Sequence, residues 1–144
     1  MATSSDPIRS QPIEINEIPW VEGGNGMRTR PLWEDEATGR KAHIVEFEPG
    51  AGMPLHRHIG HELIYMIEGS LVDETGILRP GNVAYRPNGC AHSNMSPNGA
   101  IALAIIDGPS ELATEIGDAP GSQIFVLENQ PWVKTPRGTF TKSI

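Results

Sequence analysis

Residues 50–69 read "GAGMPLHRHIGHELIYMIEG". Three histidines and a glutamate fall between positions 56 and 62, and an almost unbroken apolar run follows. In an extended chain alternate side chains share a face, so His56 and His58 point the same way. Two imidazoles on one strand face are more often ordinary polar positions than ligands. Glu62 shifts that balance. Gly60 lets the chain bend before the next strand, which can swing the carboxylate back toward the imidazoles. A mixed histidine and carboxylate set suits a borderline divalent ion.

The apolar run has its own period. Ile64 and Met66 share the face of Glu62, while Leu63, Tyr65 and Ile67 face the other way. A strand that is apolar on both faces needs cover on both. This is one reason to expect a homodimer, with Trp20 or Trp132 as further cover.

Working outward, the chain reads as short strands broken by turn residues. Glycine (16) and proline (13) are abundant, which suits strands and turns better than helices. "MRTRPLWEDEATGRKAHIVEFEPG" (27–50) reads as a hairpin around "EDEATGR", with His43, Val45 and Phe47 on one face of its second strand. "ILRPGNVAYRPNG", "AHSNMS", "AIALAIIDG" and "SQIFVLE" continue the pattern, for seven to nine strands in all. One short helix is expected, around "PSELATEIG" (109–117). The expected class is all-β, with residues 1–14 as a flexible arm and residues 15–144 as one domain.

Composition removes several function classes. A net charge of −7 with scattered Lys and Arg argues against nucleic acid. No apolar run is long enough to span a bilayer. The N-terminus lacks the basic-then-apolar order of a secretory signal, so the expected location is cytoplasmic. The single cysteine, Cys90, excludes an intramolecular disulfide and any two- or four-cysteine zinc module. Any metal must be held by histidine and carboxylate.

A fourth histidine, His92, follows the Pro87-Asn88-Gly89 turn within "GNVAYRPNGCAHSNMS" (81–96). The sequence resembles the cupins here. Gly50, His56, His58, Glu62 and Gly69 match the first cupin motif (50–69), and Gly81, Pro87, Gly89 and His92 match the second (81–96). Only the final Asn is replaced, by Ser96, a position that is not a ligand in the family. The resemblance implies a double-stranded β-helix, the cupin jelly-roll barrel, with His56, His58, Glu62 and His92 meeting inside around one divalent transition metal. Fe(II) is favoured; Zn, Mn or Ni fit the same donors.

The wording of the first motif is similar to the ChrR-like cupins, which include anti-sigma sensor domains and stand-alone dioxygenases of the acetylacetone and dihydroxyacetophenone type. No separate helical zinc domain accompanies it, which argues against direct sigma-factor control. The expected function is a non-haem Fe(II) dioxygenase cleaving a small diketone or hydroxyketone. A non-catalytic metal-bound sensor and a metal-dependent isomerase or lyase are the alternatives. Arg86, before Pro87, lines the pocket in related dioxygenases. If it points inward it could hold a substrate oxyanion, although outward is the default for an Arg on a strand. His61 is a loop histidine with a lesser case for proton transfer near Glu62, and His43 reads as a core or interface histidine.

One internal echo stands apart from the motifs. "PWVEGGNGMRTRPL" (19–32) and "PWVKTPRGTFTKSI" (131–144) align without gaps, with Arg30 matching Lys142. Both could be edge strands docking alike, the second could be the start of a duplicated unit, or the match could be chance with shared turn chemistry.

Overall fold

A computed structural model describes residue 10, residues 12–115 and residues 123–144. In chain order its strands are β1 (Val21–Gly24), β2 (Met27–Asp35), β3 (Arg40–Phe47), β4 (Gly52–His58), β5 (Glu62–Gly69), β6 (Leu71–Asp73) and β7 (Gly76–Leu78). They continue as β8 (Val83–Arg86), β9 (Ala91–Met95), β10 (Ala100–Ile106), β11 (Ser110–Leu112), β12 (Gln123–Phe125), β13 (Val133–Lys134) and β14 (Phe140–Thr141). One sheet runs β1-β2-β3-β10-β5-β8-β12, and a second runs β11-β4-β9-β6-β7. From β3 onward the chain keeps crossing between the two sheets, the all-β jelly-roll topology. The arm read over residues 1–14 lies largely outside the described residues.

The hairpin read around "EDEATGR" is β2–β3. Its turn closes because the Asp35 carboxylate accepts hydrogen bonds from the Ala37 amide (3.0 Å) and the Thr38 hydroxyl (2.9 Å). The alternation in β5 is as read: Ile64 and Met66 are buried, while Tyr65 and Ile67 are exposed. Val45, Phe47, Ile64, Met66, Leu71, Leu78, Ala84 and Ala102 form the core between the sheets. Gly69 ends β5 at a φ of +74°, where a Cβ would stand 1.9 Å from the Gly99 carbonyl oxygen. The motif glycine is therefore a packing requirement as well as a turn residue.

The expected helix at 109–117 is not formed in its described part. Ser110–Leu112 is β11, pairing with His58, Arg57 and His56 on the edge of the second sheet. Helix propensity over one short segment gives way to ladder hydrogen bonds that the β4 edge would otherwise leave unmade.

The echo between the two ends is structural. The 3-10 turns Ile15–Glu17 and Leu127–Asn129 occupy equivalent positions before Pro-Trp. Val21 pairs with Thr29 as Val133 pairs with Thr141. Arg30 lies 4.3 Å from the Trp20 ring centroid and donates to the Ile15 carbonyl at 3.2 Å. Lys142 lies 4.9 Å from the Trp132 ring and donates to the Leu127 carbonyl at 2.7 Å. The two ends thus share a turn, a hairpin register, a cation over an indole and a bond back to the turn. The copies differ in setting, since β2 goes on to pair with β3 whereas β13 and β14 form a two-stranded sheet by themselves.

Candidate metal centre

β4 and β5 lie in opposite sheets, joined through residues 59–61, so the first motif crosses the barrel in one step. Gly60 makes the crossing at a φ of +107°, and its amide donates to the Asn88 side-chain oxygen at 2.9 Å. The Pro87-Asn88-Gly89 turn is closed by the Cys90 amide donating to the Pro87 carbonyl at 3.1 Å. The His58 amide then donates to the Cys90 carbonyl, and the Gly89 amide to the His58 carbonyl. These bonds bring β9 beside β4 with His92 directly opposite His56.

Three imidazoles converge. His56 Nε2 is 3.1 Å from His58 Nε2, which is 2.9 Å from His92 Nε2, and all three residues are buried. Two nitrogens at right angles on an ion about 2.1 Å away stand about 3.0 Å apart, against about 3.4 Å at the tetrahedral angle. The two separations made by His58 match those of adjacent corners of an octahedron. Glu62 Oε1 lies 3.5 Å from His58 Nε2. It falls outside the group of three, whose ligand atoms all lie within 4.8 Å of one another.

Protonation suits the same use. Burial, then the neighbouring imidazoles, push His58 down to about 3, and burial likewise lowers His56. Both are neutral at neutral pH, the form a metal ligand requires. Burial raises Glu62. His56 Nδ1 donates to the Pro54 carbonyl at 2.8 Å, which leaves Nε2 with its lone pair toward the centre. His92 Nδ1 faces Asp73 Oδ2 at 3.3 Å, the same tautomer fixed by a carboxylate.

Arg86 is inward and buried, but its guanidinium is bonded to Asp73, the carboxylate that faces His92. It lines a small space beside His92 with Asp73, Leu71 and Leu78. Arg86 therefore touches His92's supporting carboxylate and does not line the open cavity. His61 is exposed on the outer side; the Tyr85 hydroxyl and its Nδ1 share a hydrogen bond at 2.7 Å and the two rings stack. Ser96 is buried, with its hydroxyl donating to the Ser70 carbonyl at 2.8 Å, a structural role away from the centre.

The open cavity has a volume of about 210 Å³ and is reached by His56, His58 and Glu62. Its walls are mainly apolar, with Met27, Val45, Phe47, Met53, Ile64 and Ile106. His43 and Lys41 also line it. His43 thus faces the cavity and is not a plain core residue. Lys41 was not singled out from the sequence, although the alternation that turns His43 inward turns Lys41 inward as well. Asp73 carried no such signal, because "DETG" reads as a turn and its partner His92 is remote in sequence.

A jelly-roll barrel with three histidines converging at its open end defines a cupin. The chain belongs to the ChrR cupin-like domain family, whose model matches residues 9–111. Its fold is similar to that of an RmlC-like cupin from Ralstonia eutropha (20% identity, 78% of each chain, TM-score 0.69). It is also similar to an acetylacetone dioxygenase from Acinetobacter johnsonii (14% identity, 85% of this chain and 90% of that one, TM-score 0.68). The anti-sigma ChrR structure, in complex with SigE from Rhodobacter sphaeroides, matches 65% of this chain and 51% of its own at 24% identity (TM-score 0.57). No curated protein matches the chain.

Proposed function

We propose that the chain is a metal-dependent dioxygenase of small diketones or hydroxyketones, with His56, His58 and His92 as the ligands of one Fe(II) and Glu62 as a fourth, more loosely held one. The observation that carries this reading is the spacing of the three Nε2 atoms beside an apolar cavity. At 210 Å³ that cavity is smaller than the ~300–1,000 Å³ typical of drug-sized ligands. When bound, ferrous iron would supply Lewis acidity toward a chelating enolate and one-electron chemistry toward O₂.

The protein's own part is to prepare and protect that position. Pro54 and Asp73 hold two imidazoles in the ligating tautomer, and Arg86 fixes Asp73. Met27, Val45, Phe47 and Ile64 exclude water from the face where the ketone would lie. Those apolar walls also make a sugar-like substrate, and hence the isomerase or lyase reading, the poorer fit. A homodimer belongs to the same proposal. Leu63, Tyr65, Leu103 and Ile105 adjoin in register on the outer face of the first sheet, and Tyr65 and Ile105 are 40% and 47% exposed. Light scattering on the purified protein tests it.

Oxygen uptake by the iron-loaded protein across a panel of β-diketones and hydroxyketones tests the activity. Uptake with at least one member is expected. No uptake on any, together with tightly held zinc, would favour the metal-bound sensor.

A further inference from the structure

Lys41 and His43 occupy successive inward positions on β3. Through β10, Lys41 is in register with Ile106 and then Glu62, and His43 with Ala104 and then Ile64. Lys41 therefore stands level with Glu62 but two strands away, about 10 Å along the sheet. Both side chains line the cavity that His56 and His58 enter. Lys41 is half-buried as a residue and makes no ion pair among the described residues; Glu34, opposite it on β2, is exposed and forms none with it. His43 has no hydrogen-bond partner among the described residues, and burial, then Lys41, holds it down to about 4. Glu62, across the cavity, feels the Lys41 charge without pairing with it, so the ammonium can still take a direct anionic partner.

We infer that the cavity's ligand is a small ketone bearing a second, anionic group, which Lys41 binds while His43 hydrogen-bonds the body of the molecule. This rests on the metal-chelating reading above and specifies the substrate class. The Lys41 ammonium offers the cavity a positive group that a distal carboxylate would match. The two-strand offset between Lys41 and Glu62 puts that group on the β3 side of the cavity, apart from the chelating oxygens.

The test uses the zinc-loaded protein, which is redox-inert, titrated calorimetrically with succinylacetone, a β-diketone with a distal carboxylate, and with its isosteric carboxamide. The acid should bind at least about tenfold more tightly, the gain of one charge-assisted contact. Lys41→Met should abolish that preference while leaving zinc content unchanged, and Lys41→Arg should keep it. Equal affinity in the wild type, a preference that survives Lys41→Met, or binding of neither compound would overturn the inference. Zinc loss in Lys41→Met would also overturn it, assigning the lysine to the metal centre through Glu62. Oxygen uptake with neutral diketones but no acid preference would sink this inference alone. Lys41-dependent acid binding without uptake on any ketone would sink only the dioxygenase reading.

Discussion

His92 joins two assemblies that the linear sequence keeps apart. Its Nε2 meets His58 inside the barrel, and its Nδ1 meets Asp73, which in turn holds Arg86. Asp73 and Arg86 side chains are each only 5% exposed, so removing one strands the other's charge. Arg86→Met should destabilise the fold by about 3–5 kcal/mol in denaturant unfolding. Asp73→Asn keeps the shape and removes the charge, and it should weaken metal affinity by about 10–100-fold in a competitive chelator titration. Glu62→Gln should cost less metal affinity than His56→Ala, since Glu62 stands apart from the three nitrogens. Of these residues, the histidines and Glu62 were singled out through the resemblance to the two cupin motifs. Arg86's inward turn was not, because what draws it in is a carboxylate thirteen residues earlier on a different sheet.

At the scale of elements, the hairpin and the alternation of β5 could be read because each depends on neighbours in sequence. The segment Ser110–Leu112 could not, because the edge of β4 that captures it is more than fifty residues away. The end-to-end echo was visible as matching letters, but its geometry needed the structure. Trp20 is half-buried between Arg28 and Arg30, at 4.5 and 4.3 Å, whereas Trp132 is 65% exposed beside Lys142. Trp20→Ala should therefore lower stability by about 1–2 kcal/mol and Trp132→Ala by less than about 1 kcal/mol. Thermal unfolding of the two variants compares them, and equal losses would mean that the copies are equally well seated.

For the whole molecule, buried histidines tie folding to pH. His43 is held down to about 4 against an ordinary value of 6.5, so the unfolded chain takes up its proton first as pH falls. The stability linked to His43 is complete above about 6.5 and is lost progressively toward 4. His58, at about 3, acts in the same sense, and burial-raised Glu62 acts in the opposite one above 4.5. In metal-free protein His43→Phe should flatten the acid side of the stability profile between those limits, measured by urea unfolding at a series of pH values. An unchanged slope would mean that the cavity admits the proton freely.

The barrel, the tautomers and the cavity all converge on one claim, that His56, His58 and His92 hold a divalent metal. Elemental analysis of the purified wild type and of His92→Ala, with folding checked by circular dichroism, tests it most directly. The account predicts about one transition-metal ion per chain in the wild type and almost none in the folded variant. Full metal retention in folded His92→Ala would contradict it.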